Sequence, residues 1–454
     1  MRSLLPENLV RLAEEFPEPL YLVGGSVRDY LCGYVQKSGD FCDFDICAPA
    51  SAEAFVSCAK ERGFHVHSVY KHTGTVKLSD PAGVEYEYAC FRSDEYVRGE
   101  HTPAKVSFTR DMPSDARRRD FTCNAVYYAV KEGVFVDPLG GIADIKSKTL
   151  RTVRQAGRVF GEDGLRLMRL ARQAACLGFS PDEETAAGAR ENAALVKDVA
   201  LERVGAELCA LLAADEKYGV TGGAYRGLCV LSQTGVLKEI LPELAAGEGM
   251  QQRKDFHSYD VLEHSLRCVL YAPAPLRLAA LLHDVGKPFC MRQDGNFHRH
   301  AIEGARLARE ILLRLKFPKK TAFRTERLVL WHMYDMQCET KENKLRRFFA
   351  EHYDLIGDLL ALKQADFSAC KDDLSPAPTV VRWKNLLSQM QEEGAPLRLC
   401  DLKISGADLV QIGVPAPKIG TTLHELLRHC VCYPAENRKD RLLILAKSRA
   451  KRES

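Results

Sequence analysis

Asp43-Phe44-Asp45 sets two carboxylates two residues apart in an apolar run. In a strand successive side chains alternate faces, so Asp43 and Asp45 project together while Phe44 and Ile46 go to the core. Two adjacent carboxylates with no basic neighbour repel unless a divalent cation lies between them, and Mg²⁺ is the oxygen-seeking candidate. Such ions activate an attacking hydroxyl and steady a leaving pyrophosphate. A third acid can come from Glu85 or Glu87, which share a face of the run Val84–Phe91. Upstream, Tyr21-Leu22-Val23-Gly24-Gly25-Ser26-Val27-Arg28-Asp29 reads as strand, double-glycine turn and helix start. Such a turn aims backbone N–H groups into one concavity that suits a phosphate, with Ser26 as a helix cap and Arg28 holding the helix down. A plain strand-turn-helix junction has the same pattern, and an exposed polar edge can also carry two acids. A second constellation, His264, His283-Asp284 and Asp366, is spread over three predicted helices.

The elements that must position these groups follow from the pattern along the chain. At 454 residues the chain is too long for one ordinary core. Short extended runs at Pro19–Val23, Phe41–Cys47, Thr75–Leu78, Val84–Phe91 and Val134–Val136 alternate with helical stretches at Val27–Leu31 and Ala52–Arg62. After Gly140-Gly141 the pattern turns helical, as in Glu162–Leu177 and Leu201–Leu212, so the expected class is α+β. The expected layout is a mixed α/β head (1–145), a helical neck (146–250), a histidine-bearing helical domain (251–372) and a helical tail (373–454). Linkers are expected at Thr221–Gly223, Gly247–Lys254 and Asp373–Thr379.

Composition narrows the function classes. Lys+Arg 64 against Asp+Glu 61 leaves +3, which excludes a wholesale polycation and confines any nucleic-acid site to a local patch. Hydrophobic content of 46% with 28% charged is globular, and no apolar run approaches the ~18–20 residues of a membrane span. The sixteen cysteines form no CxxC pair and sit singly in apolar stretches, which reads as reduced thiols in a cytoplasmic protein. The tail Arg438–Arg452 carries Arg438, Lys439, Arg441, Lys447, Arg449, Lys451 and Arg452 against Asp440. It is either a solvated helix end or a clamp for nucleic-acid phosphates.

Taken in order, Gly24–Asp29, Asp43–Asp45, Arg118-Arg119-Asp120-Phe121-Thr122-Cys123-Asn124-Ala125, Asp137–Gly141, Gly161–Arg169 and Glu202–Leu208 resemble the class II tRNA nucleotidyltransferases. These include the bacterial and eukaryotic CCA-adding enzymes, with bacterial poly(A) polymerase as a close relative. The resemblance implies a polymerase-β-like head whose Asp43, Asp45 and Glu87 bind the catalytic Mg²⁺. It implies that Gly24, Gly25 and Arg28 contact the triphosphate and that Arg119, Asp120 and Asn124 handle ribose and phosphates. Asp163 and Arg166, with Arg169 in the same motif, would then bind the incoming CTP or ATP. A carboxylate accepts from an exocyclic amine while a guanidinium donates to ring nitrogen or carbonyl, so the pair can select cytosine and adenine. Three residues apart on one helix they would share a face, as would an ordinary ion-pair ladder through Glu162, Arg166 and Arg169.

The link between Gly33 and Asp43 is longer than the family's, and Arg92–Pro103, with Tyr96, Gly99 and His101, resembles its flexible loop, which argues against an enzyme that adds only C. The His…His-Asp…Asp series resembles the HD superfamily of metal-dependent phosphohydrolases, with His300 and His332 in the places of second-metal ligands. Mixed imidazole and carboxylate ligands suit Mn²⁺, Fe²⁺, Ni²⁺ or Co²⁺. The expected activity is CCA addition to tRNA, with the basic tail on the tRNA elbow and accessory phosphohydrolase chemistry in the HD domain. Poly(A) polymerase, an A-adding enzyme and a hydrolase with a silent head stay open.

Overall fold

The structure, a computed structural model, describes residues 1–35, 44–97 and 103–450, with side chains to 448. Asp43, most of the long link before it, Gly99, His101, Arg449, Lys451 and Arg452 therefore lie outside the residues whose side chains are described. The chain divides into two compact units. One holds Met1–Ala245 with Arg314–Phe317, and the other holds Ala246–Leu313 with the residues from Pro318 onward.

The first unit begins with α1 (Glu7–Glu15), β1 (Tyr21–Leu22), α2 (Gly25–Leu31), β2 (Asp45–Ala48), α3 (Ala52–Glu61), β3 (His65–Tyr70), β4 (Thr75–Ser79) and β5 (Glu85–Cys90). It continues with β6 (Arg92–Tyr96), β7 (Pro103–Phe108), α4 (Met112–Arg117), β8 (Tyr127–Ala129), β9 (Val134–Val136) and α5 (Gly141–Lys146). Seven of these strands form a mixed sheet in the order β3-β4-β5-β2-β1-β8-β9. Only β2 and β5 run parallel within it. Central β2 buries Ile46, Cys47 and Ala48 and exposes Asp45. β5 alternates, turning Tyr86, Tyr88 and Cys90 inward and Glu85 and Glu87 outward. Ser51 caps α3, and Phe55 on that helix stacks on Tyr88 at 3.7 Å, which holds α3 against the sheet at β5.

Helices α6 (Ala156–Glu162), α7 (Leu165–Leu177), α8 (Glu183–Asn192), α9 (Leu201–Leu212), α10 (Ala214–Tyr218) and α11 (Gly223–Gln233) follow. The sequence pattern predicts one helix over 162–177, whereas the structure breaks it between α6 and α7. At the break Asp163 is extended, and tertiary approach is close: a Cβ at Gly164 would lie 2.5 Å from the Leu195 carbonyl oxygen. Only glycine permits that approach.

In the second unit, Val261–Tyr271, Arg277–Leu282, His300–Arg314, Lys319–Trp331 and Tyr353–Lys371 are the helices around the histidine cluster. Further along, Leu409, Leu426, Leu427, Leu442 and Ala446 make a small core, so the terminal helix Lys439–Ala450 has a buried face as well as a basic one. Among the described residues no helix is long and apolar enough to cross a membrane, and no disulfide joins any two cysteines.

Candidate active site and metal centre

In the head, Asp45 and Glu87 are register partners on the parallel strands β2 and β5, so their side chains stand next to each other on one face. Both are exposed, and they line an open cleft of about 470 Å³ together with Glu85, Lys77 and His67. Lys77 lies 3.7 Å from Glu87, with both side chains about half exposed, which screens the pair and leaves the site's charge acidic. All the carboxylate donors are oxygens, the set a Mg²⁺ ion requires.

The glycine turn meets these carboxylates directly. The Val23 N–H donates to the Asp45 carbonyl at 3.0 Å. Gly24 follows at φ +78°, ψ −140°, and a Cβ there would lie 2.9 Å from Asp45 Oδ2. The backbone conformation disfavours any side chain at that position, and a Cβ would force the Asp45 carboxylate to shift. Helix α2 begins at Gly25, so the expected Ser26 cap is not made: Ser26 is buried inside the first turn, its hydroxyl donating to the Val23 carbonyl at 3.4 Å.

Arg28 is buried and fully engaged within the protein. Its guanidinium donates to Asp29 at 2.6 and 2.9 Å, to the Asn124 side-chain oxygen at 2.7 Å and to Gln173 of α7 at 3.2 Å. Tyr218 of α10 donates to the other Asp29 oxygen. Asn124 in turn donates to Asp120 at 3.0 Å, and Asp120 pairs with Arg169 of α7 at 2.6 Å. Burial alone would raise the Asp120 pKa. The Arg169 charge, the Asn124 amide and the Phe121 N–H outweigh it and hold the carboxyl at about 2. Arg119 is tied to Asp115 at 3.1 Å and to the Tyr127 hydroxyl at 3.3 Å. Three sequence motifs thus close into one polar chain, from the glycine turn through Arg28, Asn124 and Asp120 to Arg169.

Asp163 and Arg166 are brought to the same end of α7. Asp163 Oδ1 accepts the Leu165 N–H at 3.0 Å, so the carboxylate caps the helix, and Arg203 of α9 lies 3.9 Å away. Arg166 donates to the Val159 carbonyl at 3.0 Å, Glu162 at 3.1 Å and the Arg118 carbonyl at 2.8 Å, and the Tyr96 ring lies 5.6 Å from its guanidinium. The expected ion pair to Glu162 is therefore present, and Asp163 and Arg166 stand on either side of the helix break. Gln173, Tyr218 and the Tyr96 contact have no signal in the spacing. Each is an isolated polar or aromatic residue made relevant by tertiary approach.

The second centre collects His264, His283, Asp284, His300, His332 and Asp366, all buried. His264 Nε2 lies 3.2 Å from His283 Nε2 and 3.0 Å from Asp366 Oδ1, and His283 Nε2 lies 3.2 Å from Asp284 Oδ2. On the other side of Asp284, Oδ1 lies 3.4 Å from His300 Nε2 and 3.8 Å from His332 Nε2. His300 Nε2 and His332 Nε2 are buried without hydrogen-bond partners. Burying polar atoms without partners is costly, and a shared cation on either side of Asp284 would satisfy them. The residues fit two metal ions. Lys287 places Nζ 2.6 Å from Asp284 Oδ2 as an ion pair and donates to Gln252 at 2.7 Å.

Comparison with known proteins gives a consistent assignment. Residues 20–151 match the poly A polymerase head domain, 178–247 match the probable RNA and SrmB-binding site of polymerase A, and 256–359 match the HD domain. An A-adding tRNA nucleotidyltransferase from Deinococcus radiodurans is 33% identical, over 90% of this chain and 91% of its own. A CC-adding tRNA nucleotidyltransferase from Thermus thermophilus is also 33% identical, over 77% of this chain and 76% of its own. The crystal structure of the Bacillus stearothermophilus CCA-adding enzyme in complex with CTP shares the fold, with a TM-score of 0.68 over 100% of this chain and 98% of that one at 24% identity. Head and HD domains of this kind are typically metal-dependent. The chain belongs to the tRNA nucleotidyltransferase family.

Proposed function

We propose that this chain builds or repairs the 3′-terminal CCA of tRNA from CTP and ATP, by attack of the tRNA 3′-hydroxyl on the nucleotide α-phosphate with release of pyrophosphate. The observation that carries the reading is the contact between Gly24 and Asp45, which sets a phosphate-binding turn against the acidic pair Asp45–Glu87. Asp43, Asp45 and Glu87 would hold Mg²⁺, which when bound activates the hydroxyl and neutralises charge on the leaving group. Gly24 and Gly25 let the backbone approach the triphosphate. Arg28, Asn124, Asp120 and Arg169 hold the turn, and Arg119 braces the same motif. Asp163 and Arg166 read the base, the carboxylate accepting from the exocyclic amine and the guanidinium donating from the edge not used by Glu162 and the two carbonyls.

The layout we propose keeps a head over 1–145, a neck over 146–250, an HD domain over 251–372 and a tail over 373–454. In the tail, Arg438, Lys439, Arg441 and Lys447 face tRNA phosphates, a shape-directed recognition suited to an enzyme that accepts every tRNA. In the HD domain His264, His283, Asp284 and Asp366 hold one transition metal and Asp284, His300 and His332 a second, for hydrolysis of a small phosphodiester. Membership of a tRNA-processing family supports a cytoplasmic setting. The test is incubation with tRNA ending in the discriminator base, in C and in CC, each with labelled CTP or ATP. Addition of C, C and A in turn is expected. Addition of A to every RNA, or of neither nucleotide to tRNA, overturns the proposal.

A further inference from the structure

Three histidines of the HD centre are oriented by the same device. His283, His300 and His332 each place Nδ1 against the carbonyl three residues earlier, Ala280 at 2.7 Å, Phe297 at 2.8 Å and Val329 at 2.6 Å. A proton held on Nδ1 by a carbonyl leaves the Nε2 lone pair for a metal. His264 has no such carbonyl. It lies within the regular helix Val261–Tyr271, where the Val261 carbonyl three residues back accepts the Ser265 hydroxyl at 2.9 Å. Its Nδ1 is buried without a partner.

Facing it is His257, whose ring centroid lies 5.0 Å from that of His264 with the planes at 89°. The Nδ1 of His257 is likewise buried without a partner. The loop that carries His257 is anchored to the helix Tyr353–Lys371, which supplies the ligand Asp366. The Ser258 N–H donates to the Cys370 carbonyl at 2.9 Å, and Lys371 Nζ donates to the Asp255 carbonyl at 2.6 Å. Cys370 is the other heteroatom within reach of both rings, and its thiol is turned to the Asp366 carbonyl at 3.3 Å.

We propose that His257 is the positioning residue of this centre, the acceptor that holds the His264 proton on Nδ1 and so directs Nε2 at the metal. The inference rests on the metal-centre reading above. It assigns to one side chain the task that backbone carbonyls perform for the other three histidines.

The test uses the full-length protein stripped of metal and titrated with Mn²⁺, with circular dichroism and thermal unfolding confirming that each variant is folded. His257→Phe keeps the ring volume and removes the acceptor, and it should weaken Mn²⁺ binding about 10–100-fold. His257→Gln returns an acceptor oxygen and should lie within a few-fold of wild type, as should Cys370→Ala. Wild-type affinity in His257→Phe overturns the proposal. So does an equal loss in His257→Phe and His257→Gln, which would make the role one of packing, or loss of a whole metal equivalent, which would make His257 a ligand. A wild-type protein that binds no more Mn²⁺ than His283→Ala overturns the metal-centre reading and the inference together.

Discussion

Replacing Gly24 with alanine should damage both the stability of the first unit and the rate of nucleotide addition. At φ +78°, ψ −140° the residue occupies backbone space that side chains essentially do not enter, a strain of about 1–3 kcal/mol. The added Cβ would also lie 2.9 Å from Asp45 Oδ2, so the carboxylate must shift by several tenths of an ångström. Taking about 2 kcal/mol for the strain, and ~2–4 °C per kcal/mol for a unit of this size, the melting temperature should fall by about 4–8 °C. If Asp45 serves as the proposed catalytic carboxylate, displacing it by up to ~1 Å is worth up to about 100-fold in rate. Gly25→Ala is the control for stability: its Cβ would meet only Arg28 at 3.6 Å, an ordinary contact, so the melting temperature should hold. In an Asp45→Ala background the contact part of the Gly24→Ala penalty should vanish while the backbone part remains, a coupling that a double-mutant cycle isolates. Thermal unfolding and single-turnover CMP addition are the assays. Wild-type melting temperature and rate in Gly24→Ala would refute the reasoning.

Asp163→Ala or Arg166→Ala should let UTP or GTP compete, each removing one half of a two-point readout worth about 1–3 kcal/mol; strict CTP/ATP choice at reduced rate would instead make them a helix-end ion-pair face. Asp120 and Asp115 both sit at about 2, below the ordinary carboxylate value, because burial is outweighed by Arg169 for the first and by Arg119 and Arg118 for the second. Their folded pKa values are depressed, so the stabilisation is present above about pH 4 and lost as pH falls toward 2, at about 2 kcal/mol each. Thermal unfolding across that window should show a shallower acid loss in Asp120→Asn than in wild type. His283→Ala and Asp284→Ala should abolish Mn²⁺- or Ni²⁺-dependent hydrolysis of a 2′,3′-cyclic nucleotide yet leave CMP addition intact; loss of addition with the fold preserved would contradict two chemically independent centres.

The acidic centre was legible because strand alternation and register are local rules. The pattern turned Glu87 outward with Glu85, and the pairing of β2 with β5 then set it beside Asp45. The histidines and aspartates that gather in the second centre were legible as residue types at spaced positions on apolar helices. Other features depend on tertiary approach. β3 escaped notice because His65–Tyr70 is at most half-buried and its apolar residues, Val66, Val69 and Tyr70, fall on both faces and so show no alternation. The hairpin β6–β7, expected as a loop, mixes polar and apolar residues without strict alternation and is held by ladder bonds between Arg92–Tyr96 and Pro103–Phe108. The break at Asp163 is invisible in the helical period, since it is imposed by Leu195 from another helix. Arg28 reads from its motif as a phosphate contact, whereas its partners Asn124 and Gln173, 96 and 145 residues away, are revealed only by the fold.

The account turns on Asp45 and Glu87 as the centre of nucleotidyl transfer. Asp45→Asn and Glu87→Gln keep size and remove charge, so the measurement is the single-turnover rate of CMP addition to tRNA lacking CCA, alongside tRNA affinity from filter binding. The account predicts a rate more than about 1000-fold below wild type with affinity unchanged, in keeping with loss of several kcal/mol of metal-assisted stabilisation. Both variants retaining more than a few per cent of the wild-type rate would contradict it.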